Sequence, residues 1–292
     1  MKIGVHCSIR KGYIEALYEA KELGCNCLQM FTHSPRIWKF SFPSEKEIQI
    51  FKETRKKLNL FPLVIHTAYL PNPASSNEEI YIKTRNLLLL EFELTQIFEA
   101  EYIVMHPGSY SEGKTMDEGI KNIVESIDFC FDKILDKYKN INFMLLLENV
   151  CGGGRKIGRT FQELSKIILK STYKDYIGIC IDTAHCFAFG YDITKKKFLK
   201  DMLNEIKKFI GINKVKLIHL NDSKAPLNSK IDQHYHITKG FIGKKGIKNI
   251  LKHFKNLPFI LETPKETSFD KISLKDKENI KIVKELYSQI SS

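Results

Sequence analysis

Eight short apolar runs alternate with eight longer stretches of helical character from one end of the chain to the other, and that alternation leaves few folds open. The strand-like runs lie near residues 2–7, 27–32, 63–68, 102–106, 143–149, 177–182, 215–220 and 258–263. The helical stretches are 12–23, 44–58, 78–99, 116–138, 160–170, 195–210, 245–254 and 274–287. Ser44-Glu45-Lys46-Glu47 has the form of a capping box opening the second of these. The strands are continuous apolar runs, as expected when both faces of a parallel sheet are buried. Eight β-α units in 292 residues predict a closed (β/α)8 TIM barrel, which takes about 250 residues. A doubly wound open sheet usually carries fewer strands. No Pro/Gly/Ser-rich linker divides the chain, so residues 1–292 are read as one domain.

Six of the eight runs end on a side chain that ligates metals. Leu63-Val64-Ile65 runs into His66, and Tyr102 to Met105 into His106. Phe143 to Leu147 runs into Glu148, and Ile177 to Ile181 into Asp182 with His185 three residues on. Val215 to Ile218 runs into His219, and Phe259 to Leu261 into Glu262. A lone histidine at a strand end is usually a hydrogen-bonded core residue, and a lone carboxylate is often half of a buried ion pair. Six at the same end of six strands form a ring at one mouth of a barrel. The loops read after the strands, at 32–43, 68–77, 108–115, 150–159, 186–194 and 222–243, would surround that mouth, where barrel active sites lie.

Converging Glu148, Asp182 and Glu262 would repel at high cost without a cation. No Arg or Lys at the remaining strand ends offers compensation. Divalent metal ions do. Imidazole and carboxylate without thiolate point to zinc, with manganese and iron as competitors. In the longest loop, Asp232 and His234 stand at i and i+2, on one side of an extended segment, so both can reach one ion. The ligand set is then His66, His106, Glu148, Asp182, His185, His219, Asp232, His234 and Glu262, enough for three Zn2+ ions that keep open positions. Four carboxylates against three divalent ions leave a net +2, suited to a phosphate ester, whereas the bare site carries −4 and would repel DNA.

Composition narrows the partner. The net charge of +12 favours an anionic partner such as nucleic acid. Only six of the 46 basic residues are Arg, and Lys, Asn and Ile are all abundant, as A+T-rich coding also produces, so charge alone does not establish DNA binding. Runs such as Lys195-Lys196-Lys197 are read as solvated faces. No run approaches the ~20 apolar residues of a membrane span. Strand-like sequence from Lys2 leaves no room for a secretion signal, so an intracellular enzyme without a membrane is expected. Its seven scattered cysteines are read as reduced, with Cys25 and Cys27 facing opposite ways.

Several motifs together carry a resemblance to a known family. They are Ile3-Gly4-Val5-His6-Cys7-Ser8, Phe31 to Trp38, His106-Pro107-Gly108-Ser109, Leu147-Glu148-Asn149, Cys180 to His185, His219 to Lys224, Asp232-Gln233-His234 and Leu261-Glu262-Thr263-Pro264. Over nearly its whole length the chain resembles endonuclease IV, the zinc-dependent apurinic/apyrimidinic endonucleases. The resemblance implies one ion held by His66, His106 and Glu148. It implies a second held by Glu148, Asp182, His219 and Glu262, with Glu148 bridging, and a third held by His185, Asp232 and His234. It also implies double-stranded DNA containing abasic sites as substrate, in base excision repair. The phosphodiester 5′ to the lesion would be cut by a metal-activated water that Glu148 helps orient, giving a 3′-hydroxyl and a 5′-deoxyribose phosphate. No obligate protein partner is expected, and the chain is read as a monomer.

By the same resemblance Arg36 and Tyr69 lie on loops that enter the DNA at the lesion; on their own, a surface ion pair and ordinary loop packing would account for them. Trp38 is read as a loop anchor. His6 ends the first strand and is read either as a support behind the ligands or as a hydrogen-bonded core residue. His33, His236 and His253 have no assignment. Where the family usually has Asp-Arg-His, this chain has Asp232-Gln233-His234, which keeps the ligands and loses a cation. Gly152-Gly153-Gly154 and Leu70-Pro71-Asn72-Pro73 also differ in detail. The alternative on the same scaffold is a single-metal sugar isomerase or epimerase, which resembles the set Glu148, Asp182, His219 and Glu262 and needs none of the other five ligands. A non-catalytic DNA-damage sensor would fit only if ligands were missing.

Overall fold

The computed structural model describes residues 1–265 and 273–291. Among these the strands are β1 (Lys2–Cys7), β2 (Leu28–Met30), β3 (Leu63–His66), β4 (Tyr102–Met105), β5 (Met144–Glu148), β6 (Ile177–Asp182), β7 (Val215–His219), β8 (Asp222–Ser223), β9 (His234–Tyr235) and β10 (Pro258–Leu261). Eight of them close a parallel barrel in the order β1-β10-β7-β6-β5-β4-β3-β2, the predicted (β/α)8 architecture. The helices are α1 (Tyr13–Glu22), α2 (Glu45–Leu58), α3 (Glu78–Ile97), α4 (Met116–Tyr138), α5 (Phe161–Lys170), α6 (Thr183–Phe189), α7 (Lys196–Phe209), α8 (Gly243–His253) and α9 (Leu274–Ser291). The capping box read at Ser44 forms: its hydroxyl accepts from Glu47 N at 3.3 Å while its own N–H donates to Glu47 Oε2 at 2.8 Å. Among the described residues no helix is long and apolar enough to cross a membrane.

Strand geometry places the site. Side chains alternate between the two faces of a strand, so each barrel strand sends one set outward to the helices and one inward. The outward set, with Ile3, Val5, Cys7, Ile65, Ile103 and Leu147, packs against the large buried rings Phe51, Phe92, Phe98, Phe131 and Phe161. The inward set forms a small separate core of Cys27, Val64, Val104, Leu146, Cys180, Leu217 and Ile260. Cys25 belongs to the outer core and Cys27 to the inner one, so the two thiols do face apart. At this level β1 contributes Gly4, because a Cβ there would lie 2.2 Å from Cys27 O. Two residues further along, the same inward faces carry His6, Gln29, His66, His106, Glu148, Asp182, His219 and Glu262, one from each barrel strand or the residue that follows it.

Three boundaries differ from expectation. The second strand is three residues long rather than the six read at 27–32. Part of the loop read at 186–194 is helical: Asp182 caps α6, its Oδ1 accepting from His185 N at 2.7 Å. The loop read at 222–243 contains the antiparallel pair β8–β9, with Ser223 opposite His234. Elements of two and seven residues are too short to show periodicity, which is why alternation of apolar residues did not reveal them.

Candidate metal centre

Each ligand-type residue reaches the mouth from a separate element, and Glu148 stands at the middle. Its Oε2 lies 3.4 Å from His66 Nε2 and 3.1 Å from His106 Nε2. Its Oε1 lies 3.1 Å from His185 Nδ1 and 3.2 Å from His219 Nδ1. His219 Nδ1 is also 3.1 Å from Glu262 Oε2. On the outer side His185 Nε2 is 3.1 Å from Asp232 Oδ2, and His234 Nε2 is 3.4 Å from Asp182 Oδ2 and 3.5 Å from Asp232 Oδ1. Donor atoms within 4.8 Å of one another define three groups: His66, His106 and Glu148; Glu148, Asp182, His219 and Glu262; and Asp182, His185 and His234. The first two match the sets implied by the resemblance. In the third, Asp182 takes the place expected for Asp232, which flanks His185 and His234 from a more exposed position.

The histidines are held as metal ligands are held. His66 Nδ1 donates to Thr67 O at 2.7 Å, His185 Nδ1 to Asn149 O at 2.9 Å, and His234 Nδ1 to Glu262 O at 3.2 Å. His219 Nε2 donates to Gln29 Oε1 at 2.8 Å. A carbonyl only accepts, so each bond fixes which nitrogen donates to the scaffold and leaves the other facing the carboxylates, where it can take a metal ion or a proton. Two of those nitrogens, His219 Nδ1 and His234 Nε2, are buried without a hydrogen-bond partner among the described residues. A buried imidazole nitrogen without a hydrogen-bond partner, facing two carboxylates, fits a divalent cation.

Several supporting residues were not anticipated. Gln29 is fully buried and also donates to Glu262 Oε1 at 2.6 Å and His6 Nδ1 at 2.9 Å. It is the one amide in the apolar run Cys27 to Phe31, and that was the available signal. Asn221 donates to Asp182 Oδ2 at 2.7 Å and accepts from Glu262 N at 2.8 Å, while Asn149 Oδ1 accepts from Asp182 N at 2.8 Å. His6 lies behind Glu262, 3.7 Å from its Oε1, accepts from Gln29 and packs on the Phe31 ring, a placement that fits both of its readings. Lys265, paired with buried Asp276, lines the same cavity of about 420 Å³ together with Tyr69. Arg36 is exposed on the loop after β2, and Tyr69 N donates to Pro35 O at 3.3 Å, which joins the two loops at the rim. Trp38 is half-buried in the first of these loops, and His236 accepts from Asn279 away from the centre.

Electrostatics agree with a cation-dependent site. Burial opposes the charge on Glu148 and Glu262, yet the neighbouring His219 imidazole holds both carboxyls well below the usual range. Asp232, despite burial, is drawn down to about 2 by His185. Burial likewise opposes protonation of His185 and His219, but Asp182 and Asp232 around the first, and Cys180, Glu262 and Glu148 around the second, raise them well above the ordinary value. Without a cation, the carboxylates therefore favour a second proton on each ring, on the nitrogen that faces them. A ligating imidazole must be neutral, so metal loading displaces those protons and tightens as pH rises. At pH 7, loading is expected to release about two protons per chain, measured by calorimetric titration in buffers of different ionisation enthalpy. Loading without proton release would contradict this account.

Comparison with known proteins gives the same picture from outside. A family model described as a xylose isomerase-like TIM barrel, AP_endonuc_2, matches residues 17–286. A probable endonuclease 4 of Halothermothrix orenii is 45% identical over 273 residues, covering 93% of this chain and 96% of the relative. One of Thermosipho africanus is 39% identical over 280 residues, covering 94% and 97%. The crystal structure of endonuclease IV from Thermus thermophilus superposes with a TM-score of 0.84 at 29% identity, over 99% of this chain and all of that one. A D-tagatose 3-epimerase-like protein superposes with a TM-score of 0.71 at 20% identity, over all of this chain and 98% of that one, a likeness of fold alone. The matched length, the identity to these relatives and the shared barrel place the chain in the endonuclease IV family of xylose isomerase-like TIM barrels.

Proposed function

We propose that this chain is an apurinic/apyrimidinic endonuclease of base excision repair, hydrolysing the phosphodiester 5′ to an abasic nucleotide in duplex DNA. The observation that carries the reading is the convergence of nine ligand-type side chains on one mouth, their donor atoms facing one another. His66, His106 and Glu148 would hold one zinc ion, and Glu148, Asp182, His219 and Glu262 a second. His185 and His234, with Asp232 and Asp182, would hold a third; manganese or iron is compatible with the same donors. When bound, such ions supply charge for the phosphoryl oxygens and a water acidic enough to attack near neutral pH.

The protein's own groups do the rest. Glu148 turns Oε2 to His66 and His106 and Oε1 to His185 and His219, so it would serve both of the first two ions and help orient the attacking water. Gln29, Asn149 and Asn221 lock the ligands, so little reorganisation accompanies the reaction. Arg36 and Tyr69, on adjoining loops at the rim, would enter the duplex at the lesion. An abasic nucleotide has no pairing to lose and little stacking, so its extrusion costs little. The +12 charge and the names of the relatives support a DNA substrate. A single-metal sugar isomerase would leave His66, His106, His185, Asp232 and His234 without a task.

The test is a duplex carrying one abasic analogue, labelled at both ends of the damaged strand and incubated with metal-loaded protein. The expected result is a single nick 5′ to the lesion, leaving a 3′-hydroxyl that a polymerase extends and a 5′-deoxyribose phosphate. Metal-loaded protein that leaves the strand whole, while interconverting ketoses, would sink the proposal.

A further inference from the structure

Behind the two rim loops lies a buried polar pair that the metal centre does not use. Glu91 on α3 is fully buried. Its Oε1 accepts from Ala68 N at 2.7 Å, and its Oε2 has no hydrogen-bond partner among the described residues. His33, 4% exposed, lies 3.8 Å from Glu91 Oε1. Its Nδ1 meets Thr32 Oγ1 at 3.0 Å, its Nε2 is likewise without a partner among the described residues, and its ring stacks on Phe40 at 4.0 Å. Burying a carboxyl with half its hydrogen-bonding capacity unused is costly, and an apolar residue would fill the space with less penalty. Such groups persist where geometry matters more than stability.

The geometry here is specific. Ala68 immediately precedes Tyr69, and His33 stands three residues before Arg36. The two loops are joined at one further point, Tyr69 N to Pro35 O. Tyr69 packs edge-on against Phe31 with ring centroids 5.3 Å apart. One side chain of α3 thus reaches the roots of both loops that carry the candidate lesion-contacting residues. We infer that Glu91 is a positioning residue for lesion engagement: by holding the Ala68 amide and backing His33, it sets where Tyr69 and Arg36 stand over the mouth. This rests on the nuclease reading above and on the roles given there to Tyr69 and Arg36. Glu91 itself touches neither substrate nor ligands. Burial also pushes the Glu91 carboxyl up to about 8 and lowers His33 to about 4, so it disfavours the charged form of each, and the two groups meet by packing while their hydrogen bonds go to Ala68 and Thr32.

The experiment measures KM and kcat for incision of the abasic duplex by metal-loaded wild type, Glu91→Leu, Glu91→Gln, Tyr69→Ala and the Leu/Ala double variant. Glu91→Leu is expected to raise KM about 10-fold, in the range seen for residues that hold a working group from behind. Glu91→Gln, which keeps an acceptor for the Ala68 amide, is expected to recover most of that loss. In the Tyr69→Ala background, Glu91→Leu should add only about 3-fold, because one of the two side chains it positions is already gone. A folded Glu91→Leu with wild-type KM, or effects that simply multiply in the double variant, would overturn the inference. Should Glu91→Leu fail to fold, hydrogen exchange on the wild type decides: the Ala68 amide is expected to exchange far more slowly than its loop neighbours, and equal exchange overturns the inference. A wild type that binds metal but does not nick the duplex would instead overturn the nuclease reading beneath it.

Discussion

Glu148→Gln is expected to lower the single-turnover incision rate at least ~1,000-fold while leaving the barrel folded, the scale found when a preorganised group at the reacting centre is removed. The substitution keeps the shape of the side chain and removes its charge. Among the described residues Glu148 is the only carboxylate within 3.4 Å of four histidines at once, two on each oxygen. A carboxylate can be shared between two cations because both oxygens carry negative charge; an amide offers one neutral oxygen, and its NH2 would point at imidazole nitrogens meant to ligate. Both ion positions proposed to share Glu148 would therefore be weakened by one change. Rates measured with excess zinc, beside circular dichroism of the same sample, separate loss of chemistry from loss of fold. A variant within about 10-fold of wild type would show that Glu148 does not join the groups around it.

Removing the ions is the second large perturbation. After dialysis against a chelator, incision is expected to fall below detection and to return on adding zinc. Melting temperature should fall as well. The bare mouth leaves four carboxylates close together, and the protons on His185 and His219 offset that charge only in part. Ligands present at about 1,000 times their dissociation constant stabilise the folded state by about 4 kcal/mol. For a chain of this size that corresponds to a shift of roughly 10 °C. Differential scanning calorimetry with and without chelator reads it directly. Identical melting and undiminished incision after chelation would contradict a metal centre altogether.

Much of this was legible in the order of residues because a parallel barrel repeats one simple rule. Apolar strands separated by amphipathic helices can close only in a few ways, and the inward face recurs every second residue. That rule brings His66, His106, Glu148, Asp182, His219 and Glu262 to one level from segments far apart in the chain. What escaped reading depends on contacts a linear pattern does not encode. Gln29 matters because its two amide ends reach His219 on one side and His6 and Glu262 on the other, across the closure of the barrel. Asp182 serves at once as the cap of α6 and as a neighbour of His234, a double role that the chain spacing of Asp232 and His234 obscured. The short pair β8–β9 brings His234 back to the mouth through hydrogen bonding to Asp222-Ser223. Glu91 stands on a helix that carries other carboxylates, and its full burial is set by packing rather than by chain position.

Whether this mouth is a multinuclear metal centre is read from the metal content of the purified, folded chain by inductively coupled plasma mass spectrometry. Three transition-metal ions per chain are expected, zinc foremost, falling in the Glu148→Gln variant. One ion or none per chain, in protein that is folded and has not met a chelator, would contradict a multinuclear centre.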